Sequence, residues 1–93
     1  MNEKGKMLMK TFNHEIKDEV GIHARPAGLL VKEAKKYNSK ITLNVNGKSA
    51  EATKLMAIMT LGVKQGQVVE ITIEGEDEDT AYEGMKVFFE QNL

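Results

Sequence analysis

Two histidines, a single arginine and a set of lysines are the side chains of this 93-residue sequence suited to a charged substrate, and cysteine is absent. The informative stretch is Gly21-Ile22-His23-Ala24-Arg25-Pro26-Ala27. Directly after His23, residues Ala27, Leu30, Val31 and Ala34 recur at helical spacing, while Lys32, Glu33, Lys35 and Lys36 fall on other faces. Pro26 suits a first helical turn, where its missing N–H has no intrahelical acceptor to lose. Gly21 permits a tight backbone just before the histidine. His23 is therefore expected at or next to an N-cap, beside unpartnered backbone N–H groups and the positive end of the helix dipole. That is an anion site holding a nucleophilic imidazole.

The other chemistry-bearing groups read as structural. Without cysteine there is no disulfide framework, Cys-based zinc site or thiol nucleophile to consider. His14 shares a strand face with Phe12 and Ile16 and reads as a packed or strand-edge histidine; with only one other histidine, a zinc site would have to be built from carboxylates. The acidic run Glu76-Asp77-Glu78-Asp79 lacks EF-hand spacing and reads as the solvated start of a helix. No metal and no cofactor is expected.

The elements that must position His23 follow from periodicity. Residues 1–7 read as a flexible charged tail and residues 8–93 as one domain. A strand is expected over 8–16, with Phe12, His14 and Ile16 on one face, then a helix over about 24–37. Gly28 inside that helix marks either a close approach or helix–sheet packing at a small residue. Strands over 40–45 and 48–52 flank the hairpin pair Asn46-Gly47. A short helix, capped by Thr53 or a neighbour, runs over about 54–61 and ends at Gly62. A strand over 67–73 points Val69, Ile71 and Ile73 one way, and a last helix over about 78–91 carries the apolar stripe Ala81, Met85, Phe88 and Phe89. The order βαββαβα, with one sheet face covered and one solvated, is an α+β open-faced β-sandwich.

The net charge of −1 hides an asymmetry. From His23 to Lys64 there are eight basic and two acidic residues, a net +6, while the remainder carries five basic and twelve acidic residues, a net −7. A basic surround at the histidine steers an acidic or phosphate-bearing partner. Nucleic acid is disfavoured: the chain is not basic overall, has no Trp, and lacks an aromatic-rich basic strand. No apolar run approaches the roughly 20 residues that span a bilayer, and the charged N-terminus does not read as a secretory signal. A soluble, cytoplasmic domain is expected. The short helix crowds Leu55, Met56, Ile58, Met59 and Leu61 into about two turns, more than one buried face holds. With Ile58 and Leu61 inward, Leu55, Met56 and Met59 form an exposed docking patch, and flexible Met side chains suit more than one partner.

At this point the residues resemble a known family. Gly21-Ile22-His23-Ala24-Arg25-Pro26-Ala27 resembles the active-site motif of HPr, the histidine phosphocarrier of the phosphoenolpyruvate:sugar phosphotransferase system. Asn46-Gly47-Lys48-Ser49-Ala50, Met59-Thr60-Leu61-Gly62-Val63 and Glu74-Gly75-Glu76-Asp77-Glu78 resemble its later landmarks, so the likeness runs from about 9 to 92. The resemblance implies a four-stranded antiparallel sheet covered on one face by three helices. It implies a carrier, not an enzyme, which depends on partner enzymes. It further implies that His23 takes a phosphoryl group on Nδ1 from phosphorylated enzyme I and passes it to IIA proteins or domains of sugar permeases, with Arg25 holding phosphoryl oxygens. The helix start disfavours a positive charge on the ring and leaves a nitrogen free to attack phosphorus. Leu55, Met56 and Met59 match the family's docking positions, Lys32 and Lys35 its basic rim, and the protein is expected to be a monomer. Two other readings share these residues: a specialised relay member for nitrogen-related or dihydroxyacetone phosphotransfer, and a regulatory protein-binding module on the same fold. One departure stands out. Many HPr proteins of low-GC Gram-positive bacteria carry a regulatory serine at the start of the short helix, where this sequence has Lys54. Lysine cannot be phosphorylated as that serine is, and the adjacent Thr53 reads as a helix cap rather than a substitute acceptor.

Overall fold

The alternation of apolar and polar residues becomes a one-sided sheet in the computed structural model, which describes residues 9–93. The expected tail and Leu8 lie outside the described residues. The elements are β1 (Met9–Glu15), α1 (Ala24–Ala34), β2 (Lys40–Val45), β3 (Lys48–Glu51), α2 (Leu55–Thr60), β4 (Val68–Glu74) and α3 (Glu78–Asn92). The four strands form one antiparallel sheet in the order β1-β4-β2-β3. Ile71 at its centre lies between Phe12 of β1 and Leu43 of β2. Val69, Ile71 and Ile73 are fully buried while their neighbours Val68, Glu70 and Glu74 are exposed. The period of two thus fixes which face the helices cover. Asn46 and Gly47 both take positive φ, 52° and 79°, which suits the tight two-residue turn between β2 and β3.

The helices meet the sheet through the stripes the spacing marks. Ala27, Leu30 and Ala34 of α1 and Ala81, Met85, Phe88 and Phe89 of α3 are buried. Phe89 anchors α3, with edge-on rings of Phe12 at 6.0 Å and His14 at 5.4 Å. Each such aromatic pair adds about 0.5–1.5 kcal/mol beyond area burial. His14 is accordingly a packed histidine, although its Nε2 is buried with no hydrogen-bond partner among the described residues. Also among the described residues, no helix is long and apolar enough to cross a membrane, and no three His, Asp or Glu side chains converge as metal ligands.

Several boundaries and roles differ from the sequence expectation. The first helix ends at Ala34, not near 37, because Lys36 and Tyr37 donate instead to the carbonyls of Glu33 and Ala34 three residues back. The next two backbone N–H groups, of Asn38 and Ser39, are taken at 2.8 and 2.9 Å by the carboxylate of Asp77, which also accepts from the Ser39 hydroxyl. Those bonds hold the Asp77 carboxyl below its ordinary value, the Ser39 hydroxyl contributing most. Asp77 is therefore a clamp between the α1–β2 and β4–α3 loops, not merely part of a solvated helix start. Lys54, not Thr53, is the N-cap residue of α2, and its side chain makes no capping bond. Gly28 is exposed, and a Cβ built on it meets nothing within 4 Å. Neither close approach nor tight packing explains it within this chain.

Candidate functional site

His23 is the N-cap residue of α1, in extended conformation at φ −116° and ψ −173°, and its side chain makes no capping bond. Its carbonyl instead accepts the Ala27 N–H at 2.9 Å and opens the helix. The imidazole is left at the helix mouth, 38% exposed. Beside it, the first-turn N–H groups of Ala24 and Arg25 have no intrahelical acceptor, and Pro26 has none to satisfy. Pro26 and Ala27 are buried, whereas Ala24 and Arg25 face solvent. A short polar strip of backbone donors, one guanidinium and one imidazole thus meets water, fixed from behind by apolar packing.

The approach to the histidine is held from two distant parts of the chain. Gly21 has φ +82°, and a Cβ there would run into the Val63 carbonyl oxygen and lie 2.8 Å from Lys64 Cα. Ile22 donates to the same Val63 carbonyl at 3.1 Å. On the other side, the N–H groups of Lys17 and Asp18 donate to the Leu93 carbonyl. Asp18 then turns the chain: its backbone carbonyl accepts the Gly21 N–H at 3.0 Å and its Oδ1 accepts the Val20 N–H at 2.9 Å. This places the other carboxylate oxygen, Oδ2, 3.8 Å from Nε2 of His23. The sequence reading missed Asp18 and Val63. For Asp18 a signal existed, since Asp at the first and Gly at the fourth position is turn chemistry. Val63 carried none, because its role is a backbone carbonyl 41 residues beyond Ile22.

The expected site residues are brought together unequally. His23 and Arg25 share the mouth of α1, and Arg25 has no ion-pair partner among the described residues. Leu55 and Met56 begin α2, which packs against α1, and are 42% and 74% exposed. Met59 is half-buried against the core beside fully buried Ile58, so it presents less surface than the sequence implies. Lys54 lies at the start of the same helix and is exposed. Lys32 and Lys35 are exposed but lie about 13 and 18 Å along α1 from His23 at 1.5 Å per residue. Lys32 lines a shallow cleft between α1 and α3 with Leu29 and Phe88. In that cleft Glu33 accepts from Tyr37 Oη at 2.8 Å and pairs with Lys36 at 3.0 Å. Burial, then the Glu33 bond, pushes the Tyr37 phenol up to about 12. The two lysines form a distant basic flank, not part of the helix mouth.

Comparison with known proteins identifies the family. The family described as "PTS HPr component phosphorylation site" matches residues 10–91. The phosphocarrier protein HPr of Buchnera aphidicola subsp. Acyrthosiphon pisum is 48% identical over 67 residues, which cover 72% of this chain and 79% of that protein. The crystal structure of HPr-C-His from Thermoanaerobacter tengcongensis superposes with a TM-score of 0.84 at 41% identity, covering 89% of this chain and 93% of that one. A crystal structure described as an HPr dimer from the same organism superposes with a TM-score of 0.70 at 42% identity, covering 84% and 90%. With its βαββαβα sandwich and a histidine at the mouth of α1, the chain belongs to the HPr family of phosphocarrier proteins of the phosphotransferase system.

Proposed function

We propose that His23 is the phosphoryl acceptor, that phosphorylated enzyme I is the donor, and that IIA proteins or domains of sugar permeases are the recipients. The observation that carries this reading is the placement of an exposed imidazole as the N-cap of α1, directly beside the unpartnered N–H groups of its first turn. In the step, the lone pair on Nδ1 of His23 attacks phosphorus while the bond from phosphorus to the donor's nitrogen breaks, and that nitrogen keeps the electron pair. Phosphoryl transfer needs little covalent help from the carrier, so positioning and charge stabilisation suffice. The N–H groups of Ala24 and Arg25 and the Arg25 guanidinium are the donors that meet the phosphoryl oxygens. Leu55 and Met56, with a smaller part for Met59, supply the apolar dock for both partners, and Lys32 and Lys35 steer them from farther along α1. Lys54 stands at the start of α2, where many HPr proteins of low-GC Gram-positive bacteria carry a regulatory serine, so that control does not operate at this position. The chain acts as a cytoplasmic monomer without a cofactor.

The test is incubation with enzyme I and labelled phosphoenolpyruvate. Acid-labile, alkali-stable label on His23 is the expected result, with none in His23→Ala and slow acquisition in Arg25→Ala. Absence of label on the unaltered chain refutes the carrier reading, and normal rates in Arg25→Ala refute the role given to that residue. Transfer onward to a sugar-permease IIA protein separates sugar transport from a specialised relay.

A further inference from the structure

We propose that Asp18 is a positioning residue for His23, which holds the ring proton on Nε2 and so presents the lone pair of Nδ1 to the incoming phosphorus. The inference rests on the reading that His23 accepts a phosphoryl group.

Asp18 is fixed before any partner arrives. Its N–H donates to the Leu93 carbonyl at 3.2 Å, its carbonyl accepts the Gly21 N–H, and its Oδ1 accepts the Val20 N–H at 2.9 Å. Rotation of the carboxylate is thereby restricted, and Oδ2 is the oxygen left over. That oxygen lies 3.8 Å from Nε2, about 0.9 Å beyond an ordinary N–H···O bond. Contacts of this kind in a resting site tighten when the reacting complex forms.

The tautomer follows from what each group can do. An ionised carboxylate only accepts hydrogen bonds, and a neutral imidazole has one N–H and one lone pair. With Nε2 toward Oδ2, the proton belongs on Nε2; the opposite tautomer would set a lone pair against the carboxylate. The hydrogen bond made by one ring nitrogen thus decides the state of the other. Asp18 keeps its charge on the Nε2 side of the ring, away from the phosphoryl oxygens that would meet Ala24, Arg25 and Nδ1.

The experiment reads the ring itself. In alkaline buffer, where His23 carries a single ring proton, its 15N shifts report which nitrogen holds that proton. The unaltered chain is expected to hold it on Nε2. Asp18→Asn keeps an oxygen for the Val20 N–H but turns an amide N–H donor toward the ring, so the preference moves to the Nδ1–H form. Label acquisition from enzyme I then slows on the order of ten- to a hundredfold, the scale for losing the group that orients a metal-bound imidazole, while the thermal midpoint is kept. Asp18→Ser keeps an acceptor for the turn and offers nothing to the ring, so the Nδ1–H population rises several-fold; it serves if the Asn variant does not fold. A proton on Nδ1 in the unaltered chain, or the same tautomer in both variants as in the unaltered chain, overturns the proposal. If the unaltered chain takes no label, the carrier reading fails, and the tautomer measurement still decides what Asp18 does to the ring.

Discussion

Replacing Gly21 by alanine tests whether the helix mouth is held from behind as the geometry implies. A side chain at φ +82° costs about 1–2 kcal/mol through the clash of Cβ with the backbone. The added methyl also meets the Val63 carbonyl and Lys64 Cα, which are backbone atoms and cannot rotate away. Overpacking of that kind costs about 1–3 kcal/mol. The two sum to about 2–5 kcal/mol, against a total stability of roughly 5–14 kcal/mol for a chain of this size. At about 4–8 °C per kcal/mol, the thermal midpoint should fall by at least about 8 °C. The companion is Gly28→Ala, a methyl added where a Cβ meets nothing within 4 Å. In a helix interior that exchange gains about 1 kcal/mol, so the midpoint should rise by about 4–8 °C. Thermal and urea unfolding followed by far-ultraviolet circular dichroism measures both. The strain at Gly21 also bears on the tie between Ile22 and Val63, the last bond before His23. Since a misplacement of about 1 Å can cost on the order of 10²-fold in rate, Gly21→Ala should lose phosphoryl acceptance even at temperatures where it remains folded. A midpoint within a few degrees of the unaltered chain for Gly21→Ala, or a fall for Gly28→Ala, would refute the reasoning.

Three further outcomes are expected. Asp77→Ala removes bonds from Asn38, Ser39 and the Ser39 hydroxyl and should cost about 1–3 kcal/mol in urea unfolding. Because its folded carboxyl titrates below the ordinary 3.8, the stability Asp77 contributes is present above that value and fades as pH falls through the lower folded one; acid titration of the Ala variant should lack that component. Tyr37 works with the opposite sign: its contribution is complete below pH 10.0 and fades as pH rises through about 12, so Tyr37→Phe should flatten the alkaline stability profile, and a phenol titrating near 10.0 in the folded chain would contradict it. Met56→Ser changes an exposed side chain at 74%, so its midpoint should stay within a few degrees while the KM for transfer from enzyme I rises; an unchanged KM removes Met56 from the dock.

The local features of this chain were legible because they depend on neighbours within a turn or a strand. The period of two in Val69, Ile71 and Ile73, the Asn46-Gly47 hairpin and the stripe of α3 are of this kind. So is the helix start that sets His23 and Arg25 at one mouth, since the break at Gly21, the position of Pro26 and the apolar repeat after it are all local. Spacing tells which face is apolar but not what that face meets, and that is where the tertiary structure decided. The end of α1 at Ala34 goes with the capture of the following backbone N–H groups by Asp77, 38 and 39 residues away in sequence. Gly21 and Gly28 are the same residue type within seven positions, yet only the first has another part of the chain against it. Ile58 fills the core and leaves Met56 in water, which fixes how much apolar surface α2 exposes. Asp18 reads as a turn residue until the turn closes and brings its second oxygen to His23. The sequence alone determined the candidate histidine and the helix that presents it; packing between distant segments determined which groups stand beside the ring and what holds the helix mouth in place.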